Sequence, residues 1–436
     1  MSKIEVNTVD VASGSTLTIG SSGKTIALAS GASSTGFKDI NWQSIKTADF
    51  TAVAGEGYFV NTTSGTITLT LPASPSAGDT VAIVDYAGTF GTNKVTIGRN
   101  SSNIQGAAVN ATLNISKRAT TFIYSDATKG WIPVNDNTTN DYGEVYTEAT
   151  GGTVTTSGNF KIHTFNSTSN FVASQVGNPA GGTAVVSYLV IAGGGGGGKA
   201  GNRAGGGGGA GGFREGRAAN DSYTVSPLNA PAGLTITAQT YPITVGAGGG
   251  GSPSVASGSD SVFSTITSSG GGSGGEESAN IRTGGSGGGA GGAVGPGQQS
   301  GAAGNTPPVS PSQGFPGGDS TPSPSPSKNA GGGGGGATAQ GSDAPSPGSA
   351  SGAGGAGATT HISGSPVQSA GGGSASGQTP GVSGGAGGGG SSTGPTDSTS
   401  AGTAGSANTG GGGGAGGPGG GGSGGSGVVI IRYKYQ

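Results

Sequence analysis

Tyr188-Leu189-Val190-Ile191-Ala192 runs directly into an unbroken glycine tract, Gly193 to Gly198. This junction decides how the chain is read, because most of its 103 glycines lie after Leu189 and no collagen-like period of three organises them. Glycine loses more conformational freedom on ordering than any other residue. Such a segment is therefore either flexible filler or an architecture made from glycine itself. The flanks favour the second reading: strand signals stand before the runs at Val185 to Ile191, after them at Val428 to Tyr433, and between them at Tyr241 to Val245. A flexible linker has no use for strands at both ends.

A helix with three residues per turn rises about 3.1 Å per residue and makes no internal hydrogen bonds. Its N–H and C=O groups point outward, and only glycine lets neighbouring copies approach closely enough to bond to one another. The fold expected of the C-terminal part is thus β-strands plus a polyglycine II helix bundle, in which buried amides are satisfied by neighbouring runs. Gly193 to Gly198 would span ~19 Å at that rise. The segments between runs differ in character: Ser252 to Thr267, Glu276 to Thr283, Gln298 to Phe315, Asp319 to Asn329, Ala337 to Ala350, Thr359 to Ala370, Gln378 to Ser383 and Ser391 to Asn408. They read as loops at the bundle ends, where recognition usually sits on a rigid scaffold.

Aromatic residues make up 5% and charged residues 9% of the 436-residue chain, and hydrophobic residues 30%. A large oily core is not available. The formal net charge of −2 and the lack of basic clusters exclude nucleic acid as a partner. There is no cysteine, hence no disulfide and no thiolate metal site. The N-terminus carries no apolar stretch of signal-peptide length, and no apolar run is long enough to cross a membrane as a helix. A protein made in a cytoplasm and displayed on an assembled virus particle meets both conditions.

Ahead of the glycine-rich part, Lys3 to Val9, Thr16 to Ile19 and Lys24 to Leu28 read as short β segments separated by Ser/Gly turns. Segments this short need partners, so residues 1–45 are read as an attachment region, with a helical turn or hinge around Trp42 between Phe37 and Ile45. From about Thr47 the alternation sharpens: Gly57 to Val60, Thr66 to Leu71, Thr80 to Tyr86, Lys94 to Ile97, Thr120 to Tyr124 and Gly130 to Val134. Short strands at this spacing indicate an antiparallel sandwich or barrel over residues 46–140. Asn135 to Asp141 reads as a linker. Residues 141–436 then form the glycine-rich domain, opened by strands at Phe160 to Phe165 and Asn170 to Ala173. The whole is mainly β with almost no α-helix.

Several patterns imitate chemistry. Leu189-Val190-Ile191, the glycine run and Lys199 approach a nucleotide-binding loop, but Ala200 replaces the Ser/Thr that would hold magnesium, and no helix follows to receive phosphate. His163 and His361 lie far apart with no triad or metal pattern around them. His163 is expected at a surface or facing a barrel interior, and His361 in a loop. Glu276-Glu277 reads as a solvated loop. No catalytic constellation and no cofactor are expected. On side-chain chemistry alone, Arg282, Phe315 and His361 are the loop residues suited to ligand contact.

The ordered set of Tyr188 to Ala192 with its glycine run, Gly205 to Gly212 with Phe213-Arg214-Glu215-Gly216, Tyr241 to Gly249, and Gly424 to Tyr433 resembles the glycine-rich domain of bacteriophage tail fibres and related virion proteins. Phe160 to Phe165 is similar to the strand pair that introduces that domain. Lys3 to Leu28 is similar to the attachment ends of marine-type phage tail fibres. The glycine half also resembles the polyglycine-helix sandwich of T-even-type phage adhesins. The resemblance implies a non-enzymatic fibre or adhesin subunit that attaches to other virion tail proteins through its N-terminus. It further implies a homotrimer, and contact with a bacterial surface receptor, polysaccharide or outer-membrane protein, through loops of the glycine-rich domain. The structural alternative is a capsid fibre, decoration or baseplate protein using the same domain as a spacer; the enzymatic one, a polysaccharide depolymerase, lacks the paired carboxylates it would need.

Overall fold

The computed structural model describes residues 40–134, 145–178, 181–199, 204–276, 281–292, 297–321, 329–345, 350–377, 381–393 and 399–436. Among them there is no α-helix, in keeping with the mainly β expectation. The β segments expected between Lys3 and Leu28 and the linker at Asn135 to Asp141 lie outside the described residues. The chain divides into two compact units at Thr139/Asn140.

In the first unit the strands are β1 (Asn41–Trp42), β2 (Phe50–Thr51), β3 (Glu56–Val60), β4 (Ile67–Thr70), β5 (Thr80–Asp85), β6 (Val95–Gly98), β7 (Ala111–Leu113), β8 (Ala119–Tyr124) and β9 (Trp131–Val134). They form two sheets, β1-β3-β5-β8-β9 and β2-β4-β6-β7, with no closed barrel. From β1 to β6 each step along the chain crosses from one sheet to the other. In consequence β1, β3 and β5 pair parallel, as do β2, β4 and β6. Parallel strands need a crossover connection, usually a helix; here the crossover is a strand of the opposite sheet. Among the described strands of this unit, β6–β7, β5–β8 and β8–β9 pair antiparallel. The two sheets agree with the expected sandwich, and its expected antiparallel strand direction is corrected: sequence alternation reports which face is buried and is blind to strand direction. Trp42 lies in β1, paired with β3 and with its ring 4.9 Å from that of Phe59, in place of the expected helical turn. Both sheets contribute to one core that includes Tyr58, Ile83, Leu69, Ile97, Phe122 and Trp131.

The second unit begins with β10 (Glu148–Thr150), β11 (Thr153–Ser157), β12 (Phe160–Phe165), β13 (Ser169–Gln175) and β14 (Val185–Ile191). After the first glycine runs come β15 (Phe213–Gly216), β16 (Asn229–Ala230), β17 (Leu234–Thr235), β18 (Thr240–Thr244), β19 (Ser261–Phe263) and β20 (Ile266–Ser268); β21 (Ala358–Thr360), β22 (Val367–Ser369) and β23 (Val428–Lys434) complete it. A sheet ordered β11-β12-β23-β14-β15-β16, with β17 also on β14, faces a second ordered β10-β13-β18-β19-β20. The C-terminal strand β23 is central, antiparallel to both β12 and β14. Its Val429, Ile431 and Tyr433 join Phe171, Tyr241, Ile243 and Phe263 in the inter-sheet core, while Val428 and Ile430 face the other way into a cluster with Phe213, Ala337, Ala370 and Ile362. A strand buried on both faces reads as an unbroken apolar run, as Val428 to Ile431 does.

The glycine runs leave this double sheet and return to it. The N–H groups of Gly193 and Gly196 donate to Ser259 and Ala256, those of Gly194 and Gly197 to Gly425 and Gly422, and those of Gly195 and Gly198 to Gly209 and Gly206. Each neighbour is thus met every third residue, and each of these three runs antiparallel. Carbonyls of the same run accept from Gly271 and Gly274, from Gly249, and from Gly413 and Gly416, which makes six neighbours in all. The run Gly205 to Gly212 repeats the pattern, donating towards residues 269–275, 332–335 and 410–413. Stability here comes from backbone pairing, each bond contributing about 0.5–1.5 kcal/mol net, and it requires glycine: a Cβ on Gly208 would lie 2.2 Å from the Gly195 carbonyl oxygen.

Several of the expected loops contain further runs of this lattice. Gly402, Thr403 and Gly405 donate to Gly420, Ser391 and Ser423, and Gly333 and Gly336 bond to Ser342 and Ala339. Because each neighbour is met every third residue, an outer run can carry Ala, Ser or Thr on its solvent side, so uninterrupted glycine marks only the interior runs.

Candidate functional site

The sheet end of the lattice is fixed where Ile191, Phe213, Thr244 and Val428 pass from strand to run. Register then carries along the runs to the opposite end: Gly198 bonds to Gly206, Gly206 to Gly275, Gly275 to Gly289, Ala290 to Gly318, Ser376 to Gly205 and Gly416 to Gly198. The described run ends Lys199, Gly205, Gly275, Ala290, Gly318, Ser376 and Gly416 accordingly lie at one free end of the lattice. Its described residues are tied by carboxylates: Asp319 accepts the Gly301 N–H at 2.9 Å, and Asp343 accepts the Asp319 N–H at 2.8 Å.

The three residues suited to ligand contact do not converge. Arg282 is exposed on the flank of the bundle, its N–H bonded to the Ser273 carbonyl and its C=O accepting from Gly288. Phe315 is 36% exposed at the sheet end, where its N–H meets the Gly336 carbonyl. His361 belongs to the turn between β21 and β22, also at the sheet end, with its N–H on the Thr224 carbonyl. Of the Glu276-Glu277 pair, Glu277 lies outside the described residues.

Alternation misplaces the other histidine. His163, expected at a surface or facing a barrel interior, is fully buried because its strand, β12, is covered on both faces of an open sheet. The His163 Nδ1–H donates to the Gly151 carbonyl at 2.7 Å, since a carbonyl can only accept, and Nε2 accepts from the Tyr433 hydroxyl at 2.9 Å. Burial holds its pKa below the ordinary value, which makes it a neutral packing residue.

The glycine tract before Lys199 is equally unavailable to phosphate. A phosphate-binding loop offers free N–H groups, whereas those of Gly193 to Gly198 are all donated to neighbouring runs.

What the structure does assemble is a cleft of about 250 Å³ at the sheet end. Ser157 closes β11, Ser222, Tyr223 and Thr224 follow β15, His361 and Gly364 belong to the β21–β22 turn, and Arg432 comes from β23. Arg432 is held by Asp221, with side chains only 6% and 1% exposed. The Asp221 carboxylate also accepts the Ser187 hydroxyl at 2.8 Å and the Ser222 N–H at 2.9 Å. The guanidinium lies 4.5 Å from the Phe160 ring centroid and 5.5 Å from that of Tyr223. Burial, followed by the nearby carboxylates Glu215 and Asp221, pushes the Tyr223 hydroxyl far above its ordinary pKa. Glu215 is buried as well, accepting from the Ser226 N–H at 2.9 Å and from the Thr360 hydroxyl. Sequence reasoning passes over this group, although one signal is present: Arg432 interrupts an apolar strand, and a charge in a doubly covered strand must be paired.

Among the described residues no group of three or more His, Cys, Asp or Glu side chains is placed to hold a metal, and no helix is long and apolar enough to cross a membrane.

Comparison with known proteins meets this geometry at the same boundaries. The model of the glycine-rich domain matches residues 172–434, from within β13 to the end of β23. The chain belongs to the glycine-rich domain family. The family match thus takes in the central strand pair β14–β23, every described run of the lattice and the Arg432–Asp221 pair. A second comparison, 42% identical over 60 residues, links the chain to the long-tail fiber proximal subunit of Enterobacteria phage T4. It covers 14% of this chain and 5% of that protein, so the chain matches only a small part of that relative's length. Together the two findings support the resemblance to a bacteriophage tail-fibre protein with a C-terminal glycine-rich domain.

Proposed function

We propose that this glycine-rich domain protein is a non-enzymatic subunit of a bacteriophage tail fibre, attached to other virion tail proteins through its N-terminal region and presenting its glycine-rich domain to the bacterial surface. The observation that carries this reading is the gathering of the described run ends at one free end of a laterally bonded lattice. A bundle in which an interior run has six hydrogen-bonded neighbours fixes the run ends relative to one another, and recognition usually sits on segments carried by such a rigid scaffold. The three-residue period of those bonds supports reading the runs as polyglycine II helices.

Residues 1–45 are proposed as the attachment region, 46–140 as a β spacer and 141–436 as the distal domain, and the assembled fibre as a homotrimer. The receptor, a surface polysaccharide or an outer-membrane protein, would be met by the free-end connections. Arg282 on the flank is better placed to assist that contact than Phe315 or His361, which lie towards the sheets.

The test is adsorption of complete particles in which 322–328 and 394–398 are replaced by short Gly-Ser bridges. Adsorption to the bacteria that support growth of the phage is expected to fall at least tenfold, with particle yield unchanged. Normal adsorption by such particles would overturn the adhesin reading, and immunogold labelling of the chain on the capsid would replace it by the decoration reading.

A further inference from the structure

The cleft at the sheet end takes no part in the reading above. Three of its properties point to a ligand of one kind.

The first is its charge. Arg432 is the cationic group of the lining, and its Nε donates to both Asp221 oxygens, at 3.1 and 3.0 Å. A guanidinium already neutralised by a buried carboxylate has little left to offset the desolvation of an anion. The cleft is therefore selective for neutral ligands.

The second is its hydrogen-bonding character. Ser157, Ser222 and Thr224 are among its lining residues, and each carries a hydroxyl, a group that both donates and accepts. His361 adds a ring whose Nδ1 is enclosed and without a hydrogen-bond partner. The ring of Tyr223 supplies an apolar surface beside these polar groups. Mixed donors and acceptors around an aromatic ring suit a molecule with several hydroxyls on a hydrocarbon frame.

The third is its size and how it is kept open. Ligand clefts usually measure about 300–1,000 Å³, so a volume of about 250 Å³ accommodates one sugar ring and not a chain of them. Gly364 has φ +90°, and a Cβ there would approach the Ser157 Cβ and Oγ to 3.1 Å. Glycine at this turn keeps the space above Ser157 clear.

We infer that the cleft between β11, the Ser222–Thr224 segment and the β21–β22 turn is a binding site for a single neutral monosaccharide unit. The site is distinct from the free-end connections and stands whether or not they bind a receptor.

The experiment is saturation-transfer NMR on the full chain with methyl glycosides of glucose, galactose, mannose and N-acetylglucosamine, alongside methyl glucuronide and inorganic phosphate. At least one neutral glycoside is expected to give a saturable signal in the millimolar range. Ser157→Phe, which fills the cleft from its rim, should abolish that signal, and His361→Ala should weaken it about tenfold. Thermal melting of each variant serves as the control for folding; should Ser157→Phe fail to fold, His361→Ala carries the test alone. Absence of saturable binding by every neutral glycoside would overturn the proposal. So would a signal unchanged in a folded Ser157→Phe or His361→Ala chain, or binding of the glucuronide or phosphate alone.

Discussion

The Arg432 Nε donates to both carboxylate oxygens of Asp221, and the two residues stand 211 positions apart in the chain. Arg432 lies opposite Ser187 in the β14–β23 ladder, and Ser187 donates its hydroxyl to the same carboxylate while accepting the Ala218 N–H at 3.0 Å. Asp221 thereby fastens the last strand of the domain to the strand that launches its first glycine run. Removing one partner of a buried pair leaves the other uncompensated, which costs about 3–5 kcal/mol. Asp221→Ala is expected to destabilise the second unit by that amount in denaturant unfolding. The double variant Asp221→Leu with Arg432→Met should recover most of the loss, and a double variant as unstable as Asp221→Ala would show that packing, not charge, holds this position.

His163 makes stability depend on pH. Its folded pKa lies below the ordinary value of 6.5, so between 6.5 and the folded pKa the unfolded chain binds a proton that the folded chain does not. Stability is full above about pH 6.5 and falls as the pH drops towards the folded pKa, with a slope of up to about 1.4 kcal/mol per pH unit. Melting of a His361→Ala chain, in which His163 is the remaining histidine, should decline as the pH falls below about 6.5 more steeply than melting of the same chain carrying His163→Gln. Parallel curves would show that His163 does not contribute.

Glycine is required position by position in the lattice. A Cβ on Gly208 meets the Gly195 oxygen at 2.2 Å and the Gly195 and Gly196 carbonyl carbons at 2.8 and 2.9 Å, while a Cβ on Gly297 meets nothing within 4 Å. Overpacking costs about 1–3 kcal/mol where neighbours can shift, and more here, because the neighbours are backbone. Gly208→Ala should lower the melting temperature of the second unit sharply or prevent soluble expression, whereas Gly297→Ala should be silent. Equal behaviour of the two would remove the argument from close backbone approach.

Asp85 organises a turn of the first unit. Its carboxylate accepts N–H groups from Gly88 at 2.9 Å, Thr89 at 3.1 Å, Phe90 at 3.2 Å and Lys117 at 2.8 Å. Each donor left without an acceptor costs about 1–3 kcal/mol when buried. Asp85→Ala should therefore unfold the first unit at markedly lower denaturant, with Asp85→Asn intermediate because one amide oxygen still accepts. Intrinsic fluorescence of Trp131, buried in this core, reports the transition.

Strands with one clear periodic or apolar signature are legible in the sequence: Val185 to Ile191 is β14 residue for residue, and Phe160 to Phe165 is β12. The glycine bundle is legible as well, because only mutual backbone pairing offsets the entropy lost on ordering glycine runs. Strand direction in the first unit is not, since parallel and antiparallel partners bury the same alternate residues. Nor is the sheet-end cleft, whose residues come from positions 157, 222–224, 361, 364 and 432 and meet only in the folded chain. The outer runs escape too: with one face to solvent, Gly402 to Gly405 and Ala339 to Ser342 carry the Ser, Thr and Ala that ordinarily mark loops.

The return of the C-terminus also sets the order in which the second unit can form. β23 is hydrogen-bonded to β12 on one side and β14 on the other, and both apolar clusters of the unit draw on it, through Val429, Ile431 and Tyr433 in one and Val428 and Ile430 in the other. Without it the two strands face a gap of unpaired backbone groups, and Asp221 is left buried without its cation. Contacts this distant in sequence form late, because loop closure precedes any gain from them. A chain ending at Ser426 should therefore fail to fold its second unit while the first still unfolds cooperatively at its usual denaturant concentration. Adding a synthetic peptide of residues 427–436 in trans should restore protease resistance to residues 145–426. A truncated chain that resists protease without the peptide would show that the glycine lattice forms independently of its closing strand.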